Sequence, residues 1–228
     1  MLIRKLKGWW DFRSGRHDKF YPWGFAMNGQ TSRLEAVRQM MHALQVSRVV
    51  ETGTFRGTTA EWFAQFGLPV ETVEASERFF VFSKARLAKF KNVEITLGSS
   101  VPFLAERAKK TRGSEIQLFY LDAHWHGDLP LRQELQLIFS TYNRAVVVID
   151  DFKVDDDGGY AYDDYGAGNA LTKEFVVGSD VPKLHAFYPA TPAKQETGMK
   201  TGWIVLTADD RLAEHLRTIT LLRETPLN

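Results

Sequence analysis

The sequence predicts a doubly wound α/β fold, with a mostly parallel seven-stranded sheet that ends in a C-terminal antiparallel hairpin. Strand and helix patterns alternate from residue 31 to residue 177, as they do when helices cover both faces of a parallel sheet. Residues 145–149 are five consecutive apolar residues, which indicates a strand buried on both faces. Two final strand patterns, 183–188 and 202–207, have no helix between them, and a hairpin makes the last strand antiparallel.

Each element follows from a local pattern. The first helix of this domain begins near Thr31 or Ser32, a fair N-cap, and its apolar residues recur at helical spacing. Strands are predicted at 47–52, 70–74, 93–97, 116–121 and 145–150. Helices are predicted at 57–66, 77–90, 100–110, 129–141 and 167–177, with a Gly/Asp-rich loop at 153–168.

Composition limits the classes of function. The chain's 228 residues suit one domain, which we place at 31–228. A formal net charge of +1 gives no field for nucleic acid, and the absence of cysteine excludes disulfides, thiolate metal sites and cysteine nucleophiles. No apolar run approaches the roughly 20 residues of a membrane span, and the first residues lack the apolar core of a signal peptide. These observations predict a cytoplasmic protein with no nucleic-acid partner and no stable membrane insertion.

Residues 1–30 form a separate segment in which aromatic residues stand among basic residues and glycines. Neither a helical nor a strand period is sustained there. We interpret the segment as a lid over a site, as an arm that joins a homo-oligomer, or as a membrane-surface contact. Its basic amphipathic part is very short, which disfavours the membrane alternative.

The first strand runs into Glu51, Gly53 and Gly57, the layout of a nucleotide-binding loop between a strand and a helix. The third glycine that lets a backbone meet a pyrophosphate is missing, and Thr58 stands where a phosphate-binding loop has lysine. The loop is therefore suited to a nucleoside without a diphosphate. S-adenosylmethionine, whose amine and sulfonium are cationic, is the candidate cofactor. Its methionyl end is expected to lie on Glu51, Gly53, Thr54 and Gly57.

Two further strand ends fit the other parts of such a cofactor. Glu74 closes the second strand 21 positions after Gly53 (74 − 53 = 21), an offset at which an acid accepts both ribose hydroxyls. A solvated carboxylate or a helix cap is the alternative. Ser99 and Ser100 follow the third strand, where small hydroxyl residues would border adenine, although this stretch is also typical of a turn and N-cap.

The fourth and fifth strands end in acids. Asp122 follows the fourth strand, and Asp150 and Asp151 follow the fifth. Three carboxylates on neighbouring strands favour a positive group between them, so they are predicted to hold a divalent metal such as Mg²⁺. As the alternative, strand-end acids bind the methionyl amine, cap helices or orient a loop, and Asp122 is also expected to be a cofactor-binding residue. Asp122 or His124 would receive the proton of a substrate hydroxyl.

The residues around these acids are less decisive. His126 shares a face with His124 if the segment is extended, but a surface pair is a commoner arrangement than metal ligation. Trp125 either stacks on a substrate or covers the rim of the core. The loop at 153–168 borders the predicted pocket, so its tyrosines at 160, 162 and 165 are expected to shape it unless the loop is simply solvated.

These motifs resemble class I S-adenosylmethionine-dependent methyltransferases, specifically the macrocin-type O-methyltransferase and cephalosporin-hydroxylase-like branch. The matching stretches are residues 51–57, Glu74, 121–124 and 149–152, within a similarity over about residues 45–207. The resemblance implies a Rossmann-like sheet, S-adenosylmethionine as cofactor, and a divalent cation at Asp122, Asp150 and Asp151. The first of these acids also looks suited to act as base.

The resulting hypothesis is O-methylation of a hydroxyl on a sugar or natural-product-type small molecule, with or without help from a divalent metal. A non-catalytic nucleoside-binding module on the same fold is the alternative. An NAD-dependent oxidoreductase is disfavoured by the missing glycine and by the terminal hairpin.

Overall fold

One mixed sheet organises the part of the chain that the computed structural model describes, namely residues 2–15, 25–110, 115–124, 129–166, 168–181 and 183–227. The strands are β1 (Arg48–Thr52), β2 (Val70–Glu74), β3 (Val93–Leu97), β4 (Gln117–Leu121), β5 (Ala145–Ile149), β6 (His185–Pro189), β7 (Ile204–Thr207) and β8 (Leu222–Thr225). The α-helices are α1 (Leu2–Arg13), α2 (Thr31–Ala43), α3 (Thr58–Ala64), α4 (Glu77–Leu87), α5 (Ser100–Lys110), α6 (Leu131–Thr141), α7 (Lys173–Val177) and α8 (Asp210–Arg217). Short 3₁₀ helices span Ala26–Gly29 and Ala193–Gln195.

The order of the strands is β3-β2-β1-β4-β5-β7-β6-β8, and it reverses between β1 and β4. β1 pairs in parallel with β2 on one side and with β4 on the other, so that Thr52 lies opposite Val73 and Leu121. The β2–β3 and β4–β5 pairs are also parallel. The carboxyl ends of five strands therefore meet at one edge, and a crevice opens where their connections diverge. The predicted doubly wound sheet is confirmed.

The C-terminal part confirms the antiparallel hairpin and adds a strand. β7 pairs antiparallel with both β5 and β6. α8 follows, capped by the Asp209 side chain, and β8 then pairs antiparallel with β6. Within the described residues the sheet thus has eight strands instead of the predicted seven. β8 has only four residues, and the polar pair Arg223 and Glu224 at its centre breaks its apolar pattern.

The apolar run of β5 reflects burial on both faces of the sheet. Val146 and Val148 pack in one core with residues of α2, α3 and α8. Val147 and Ile149 pack in the other core with residues of α5, α6 and α7. Because alternate residues of a strand point to opposite faces, a strand in the middle of this sheet needs an apolar residue at every position.

The helix predicted at 167–177 is shorter in the structure, because α7 begins at Lys173. Gly166 and Gly168 have φ of +100° and +80°, and Asp164 forms an isolated bridge with Ala170. The left-handed glycines keep this stretch out of the right-handed helical region. The loop after β5 therefore extends further than predicted and has more residues near the edge of the sheet.

α1 occupies the segment in which no sequence period was evident. Gly8 lies so close to α4 that a Cβ there would overlap the carbonyl oxygen of Arg78. Asp11 accepts a hydrogen bond of 2.7 Å from Arg78 Nε, and the Phe12 and Phe82 rings meet edge-on with centroids 5.5 Å apart. The face of α1 that packs on α4 combines a glycine, an acid and one aromatic residue, whereas its apolar residues at helical spacing face solvent, so the pattern did not indicate a helix of the core.

Residues 16–24, the rest of the predicted lid or arm, lie outside the described residues. None of the described helices combines the length and apolar character needed to cross a membrane.

Candidate active site

A cavity of about 990 Å³ lies at the carboxyl ends of the parallel strands. Its walls come from the loop after β1, from the ends of β2 and β3, and from the segments that follow β4 and β5. Two further segments contribute residues. Phe25, Met27 and Asn28 belong to the N-terminal segment that the sequence indicates as a lid or arm, and Met199 and Thr201, before β7, were not singled out from the sequence.

The glycine loop forms the wall between β1 and β4. Gly53 has φ +87°, and a Cβ at this position would overlap the carbonyl oxygen of Asp122. Only glycine fits there, because both the backbone conformation and the close approach of β4 exclude a side chain. The N–H groups of Gly53 and Thr54 each donate to the Val73 carbonyl at 3.1 Å, which ties the loop to β2. Gly57, at φ +77°, is the N-cap of α3, and a Cβ added to it would lie 3.2 Å from Ser83 Cβ. It is not among the described residues that line the cavity.

Glu51 lies behind this wall instead of on it. Its side chain is buried, and Thr72 donates a hydrogen bond of 2.5 Å to Oε2. Thr72 Oγ1 is also 2.6 Å from Thr54 Oγ1, and Thr54 lines the cavity. Burial raises the pKa of Glu51 to about 8. The sequence predicts that Glu51 meets the methionyl amine. In the structure, the hydroxyls of Thr72 and Thr54 lie between its carboxyl group and the cavity.

Glu74 is held in place by backbone donors. Oε2 accepts the Phe55 N–H at 2.7 Å, and Oε1 accepts the Ser76 N–H at 2.7 Å. The Ala75 backbone is a third hydrogen-bond partner of this carboxylate, which lines the cavity. The alternative role as helix cap belongs to Ser76, whose hydroxyl accepts from Phe79 N. Burial raises the pKa of Glu74 above its usual value.

The predicted serines line the same end of the cavity. Ser100 is the first residue of α5, and its side chain hydrogen-bonds with the buried Glu134. The Gly98 N–H donates to the Glu74 carbonyl at 2.9 Å, so the β2 and β3 ends are joined. Glu74, Ser99 and Ser100 are thus brought together as the sequence predicted.

The carboxylates and the histidine converge at the opposite end. His124 Nε2 lies 3.7 Å from Asp122 Oδ1 and 4.0 Å from Asp151 Oδ2. One ligand atom from each of these three residues lies within 4.8 Å of the other two. The His124 ring is buried, and its Nε2 has no hydrogen-bond partner within the part of the chain described. Asp151 has φ +50°, a left-handed conformation in which a non-glycine residue is held by its surroundings.

The electrostatics of this cluster follow from burial. Burial raises the pKa of Asp122 well above its usual range, and the neighbouring Asp150 and Asp151 raise it further. The same causes raise the pKa of Asp151, with Asp163 as an additional neighbour. Burial lowers the pKa of His124, which favours the neutral imidazole with a free lone pair.

Asp150 is held away from this cluster by an ion pair that the sequence did not predict. Its Oδ1 accepts from Arg33 Nη1 of α2, and its Oδ2 accepts from the Tyr120 hydroxyl at 2.7 Å. Both charged side chains are buried. The metal set predicted from sequence was Asp122, Asp150 and Asp151. In the structure Arg33 neutralises Asp150, and His124 takes the third place beside Asp122 and Asp151.

The long loop after β5 brings two of its three predicted tyrosines to the cavity. Tyr162 and Tyr165 line it together with Asp163, and the Tyr165 hydroxyl donates to Asp163 Oδ2 at 2.5 Å. Tyr160 is buried instead and donates to the Thr191 carbonyl at 2.9 Å. Trp125 and His126 lie outside the described residues.

Three solved methyltransferase structures share the fold of this chain. The O-methyltransferase TomG from Streptomyces achromogenes, involved in tomaymycin synthesis and solved in complex with SAM, is 20% identical, with a TM-score of 0.55 over 76% of this chain and 79% of that chain. An O-methyltransferase from Bacillus cereus in complex with SAH is 17% identical, with a TM-score of 0.54 over 76% and 80%. The SAH-bound methyltransferase PaMTH1 from Podospora anserina is 16% identical, with a TM-score of 0.54 over 91% and 88%. This likeness establishes the Rossmann-like methyltransferase fold. No protein-family profile and no curated protein sequence matches the chain.

Proposed function

We propose that this protein is an S-adenosylmethionine-dependent methyltransferase that acts on a hydroxyl oxygen of a small molecule. One observation carries the proposal: a single cavity joins a preformed nucleoside end, built around Glu74, to a reactive end where Asp122, His124 and Asp151 converge. The likeness to methyltransferases that were solved with SAM or SAH supports the same cofactor here.

The cofactor is proposed to extend from the Glu74 end towards the β1–β4 gap. Glu74 accepts from the ribose hydroxyls, since its backbone donors fix the carboxylate in the wall of the cavity. Ser99 and Ser100 border the base. The Gly53–Thr54 turn faces the methionyl end, and Glu51 supports that turn through Thr72. The methyl group then points towards the β4 and β5 ends.

The acceptor end accounts for deprotonation. His124 Nε2 accepts the hydroxyl proton, because the buried ring is neutral and this atom has no other partner in the described chain. The charge of the imidazolium that forms favours the ionised forms of Asp122 and Asp151, which lie 3.7 Å and 4.0 Å from Nε2. Tyr162, Tyr165 and Phe25 give the acceptor an aromatic surface. Transfer is a displacement at the methyl carbon, and it is helped chiefly by placing the two reactants in line.

The acceptor is proposed to be neutral or cationic. Five carboxylates line the cavity, and among the described lining residues there is no lysine or arginine. An acceptor with phosphate or carboxylate groups near its reacting hydroxyl would therefore find no cationic partner among these residues. A sugar or natural-product hydroxyl, which carries no negative charge, suits this wall.

A divalent cation also fits the donor set of Asp122, His124 and Asp151. The unpartnered buried His124 Nε2 and Asp151 Oδ1 are the donor atoms that such an ion would satisfy. When bound, the ion would lower the pKa of an acceptor hydroxyl. An imidazole ligand suits Mn²⁺, Co²⁺ or Zn²⁺ better than Mg²⁺, which prefers an oxygen shell. The lone pair of His124 either ligates the ion or takes the proton.

Calorimetric titration tests the cofactor assignment. Wild type is expected to bind S-adenosylmethionine and S-adenosylhomocysteine but not NAD. Glu74→Gln should weaken binding by roughly tenfold to a hundredfold, because hydrogen bonds to a charged group contribute about 1.5–3 kcal/mol. Glu94→Gln, on an exposed position of β3, is the matched control and should bind as wild type does. Binding of NAD alone would contradict the proposal.

Product formation and metal binding need separate experiments. Neutral, amino and phosphorylated sugars are incubated with cofactor and analysed by mass spectrometry for the gain of one CH₂. Cofactor binding without any methylated product would favour the non-catalytic alternative.

Mn²⁺ binding, followed by electron paramagnetic resonance, should be lost in His124→Gln and kept in His42→Gln. Equal Mn²⁺ binding by both variants would remove His124 from the ligand set.

A further inference from the structure

α1 turns an apolar face to solvent. Ile3 is 81% exposed, Leu6 and Trp10 are each 59% exposed, and Trp9 is 50% exposed. These are four of the eight large hydrophobic residues that stand exposed in the described chain. At 100° per residue they fall in one sector of the helix, opposite the sector that packs on α4. Such a concentration of exposed apolar side chains marks an interaction surface.

The helix is fixed to the domain, so this face is held outwards. Gly8 touches the backbone of Arg78, and Asp11 accepts from the Arg78 side chain. Phe12 packs edge-on against Phe82. The contacts leave the outer sector free and give α1 one orientation on α4. Because Ser76 and Phe79 at the start of α4 line the cavity, α1 also lies beside the candidate active site.

Positive charge surrounds the apolar sector. Arg4, Lys7 and Arg13 are exposed. The Arg13 guanidinium lies over the Trp9 ring, 5.3 Å from its centroid. The single acid of the helix, Asp11, is buried and paired with an arginine. The exposed surface of α1 therefore combines apolar side chains with cations and presents no carboxylate, although the whole chain carries a formal charge of only +1.

This combination selects one kind of partner. Two copies of α1 packed face to face would bring like charges together, which disfavours a dimer through this surface. An anionic bilayer supplies both an acyl boundary for the apolar sector and phosphates for the cations. Tryptophan is suited to that boundary, because its indole has an apolar body and a polar N–H. A helix of 12 residues is about 18 Å long, too short to span the roughly 30 Å hydrocarbon core.

We propose that α1 is an interfacial anchor that binds the surface of anionic membranes. Ile3, Leu6, Trp9 and Trp10 enter the boundary between headgroups and acyl chains, and the flanking cations contact lipid phosphates. The anchor holds the mouth of the cavity close to the membrane. This inference does not depend on methyl transfer, and its test measures lipid binding alone.

Vesicle co-sedimentation of the full chain tests the anchor. Wild type should bind vesicles of phosphatidylcholine with phosphatidylglycerol much more strongly than vesicles of phosphatidylcholine alone, and high salt should weaken binding. Leu6→Ser should weaken it by about tenfold or more, through loss of buried apolar area. Val177→Ser, which changes a 52% exposed aliphatic residue on α7, is the matched control and should bind normally. Circular dichroism checks that both variants are folded.

A charge variant gives an independent readout. Lys7→Gln should weaken binding to anionic vesicles about fivefold, as expected for one cation near an anionic surface, whereas the exposed Lys91→Gln should have no effect. Wild type that fails to sediment with anionic vesicles would overturn the proposal. So would a wild-type dimer in analytical ultracentrifugation that Leu6→Ser converts to a monomer, because the face would then belong to a second copy.

Discussion

Replacement of Arg33 by methionine probes the ion pair beneath the candidate site. Arg33 and Asp150 are both buried, with side-chain exposures of 0% and 2%. Arg33 Nη2 also donates to the Thr201 carbonyl at 2.6 Å. In Arg33→Met, Asp150 keeps the Tyr120 hydroxyl and the Asp151 N–H but loses the cation that neutralises it. The variant therefore leaves an uncompensated charge inside the protein.

The expected cost follows from that uncompensated charge. Breaking a buried ion pair by removal of one partner costs about 3–5 kcal/mol. The free energy of unfolding of a domain is about 5–15 kcal/mol, so Arg33→Met should lose a large part of it and unfold at a much lower urea concentration. The double variant Arg33→Met/Asp150→Leu should be more stable than Arg33→Met, because both charges are then absent.

Urea unfolding followed by circular dichroism measures these differences. Arg38→Met is the matched control on α2, because Arg38 is exposed and pairs with Glu35 at 2.6 Å. Its unfolding midpoint should stay close to that of wild type. An Arg33→Met variant within about 1 kcal/mol of wild type would refute the reasoning. A double variant that loses the sum of the two single losses would refute the coupling.

The same variant has a predictable pH dependence. In wild type, burial raises the pKa of Asp150, but Arg33, the Tyr120 hydroxyl and the Asp151 N–H together outweigh burial, and the pKa lies below its usual value. The pair therefore stabilises the fold above the unfolded pKa of about 3.9, and this contribution is lost as pH falls through the folded pKa. Without Arg33 the buried carboxyl favours its neutral form. The stability gap between wild type and Arg33→Met should thus be largest at neutral pH and shrink on acidification.

Two further predictions concern the glycine loop. Gly53→Ala should lower the melting temperature and abolish S-adenosylmethionine binding in calorimetry, because the new side chain would combine φ +87° with overlap on the Asp122 carbonyl. Gly67→Ala is the control, because Gly67 has φ +74° but nothing lies within 4 Å of the added Cβ. It should lower the melting temperature less and leave binding intact. Glu51→Gln should flatten the pH dependence of unfolding. The folded protein retains a proton on Glu51 up to about pH 8, so wild-type stability falls as pH rises from about 4.3 to that value. Equal slopes for wild type and variant would contradict the assignment of this proton to Glu51.

The regular elements could be predicted because their signals are local. Five consecutive apolar residues predict β5, and apolar residues at helical spacing predict α2. The strand-end positions of Glu74, Asp122 and Asp151 follow directly, because in an open parallel sheet all carboxyl ends meet at one edge. β8 lacks such a signal, and in α1 the residues that pack on α4 form no apolar stripe. Their stability comes from pairing with β6 and packing on α4, which are contacts between residues far apart in sequence.

The side-chain direction of Glu51 could not be inferred from its place near the end of a strand. In β1, Val49 packs in the core with α2, α3 and α8, and Val50 packs in the opposite core. Side chains alternate between faces, so Glu51 points to the same side as Val49, beneath the turn and not beyond it. β1 is buried almost throughout, and its sequence carries no alternation that would reveal this direction. The three-dimensional fold is needed to tell whether an acid near a strand end faces the cavity or lies beneath the turn.

The ion pair of Arg33 changes the interpretation of the strand-end acids. The buried stripe of α2, followed back one turn from Ala36 and Val37, falls on Arg33, so the sequence does contain a signal for a buried cation. Three acids at one edge need positive charge, and the sequence alone predicted a metal, with the methionyl amine of the cofactor as one alternative. With Arg33 beside Asp150, any ion or proton acceptor has to be sought at His124. Substitution of Asp150 should therefore affect folding stability first, whereas substitution of His124 should affect the chemistry of the cavity.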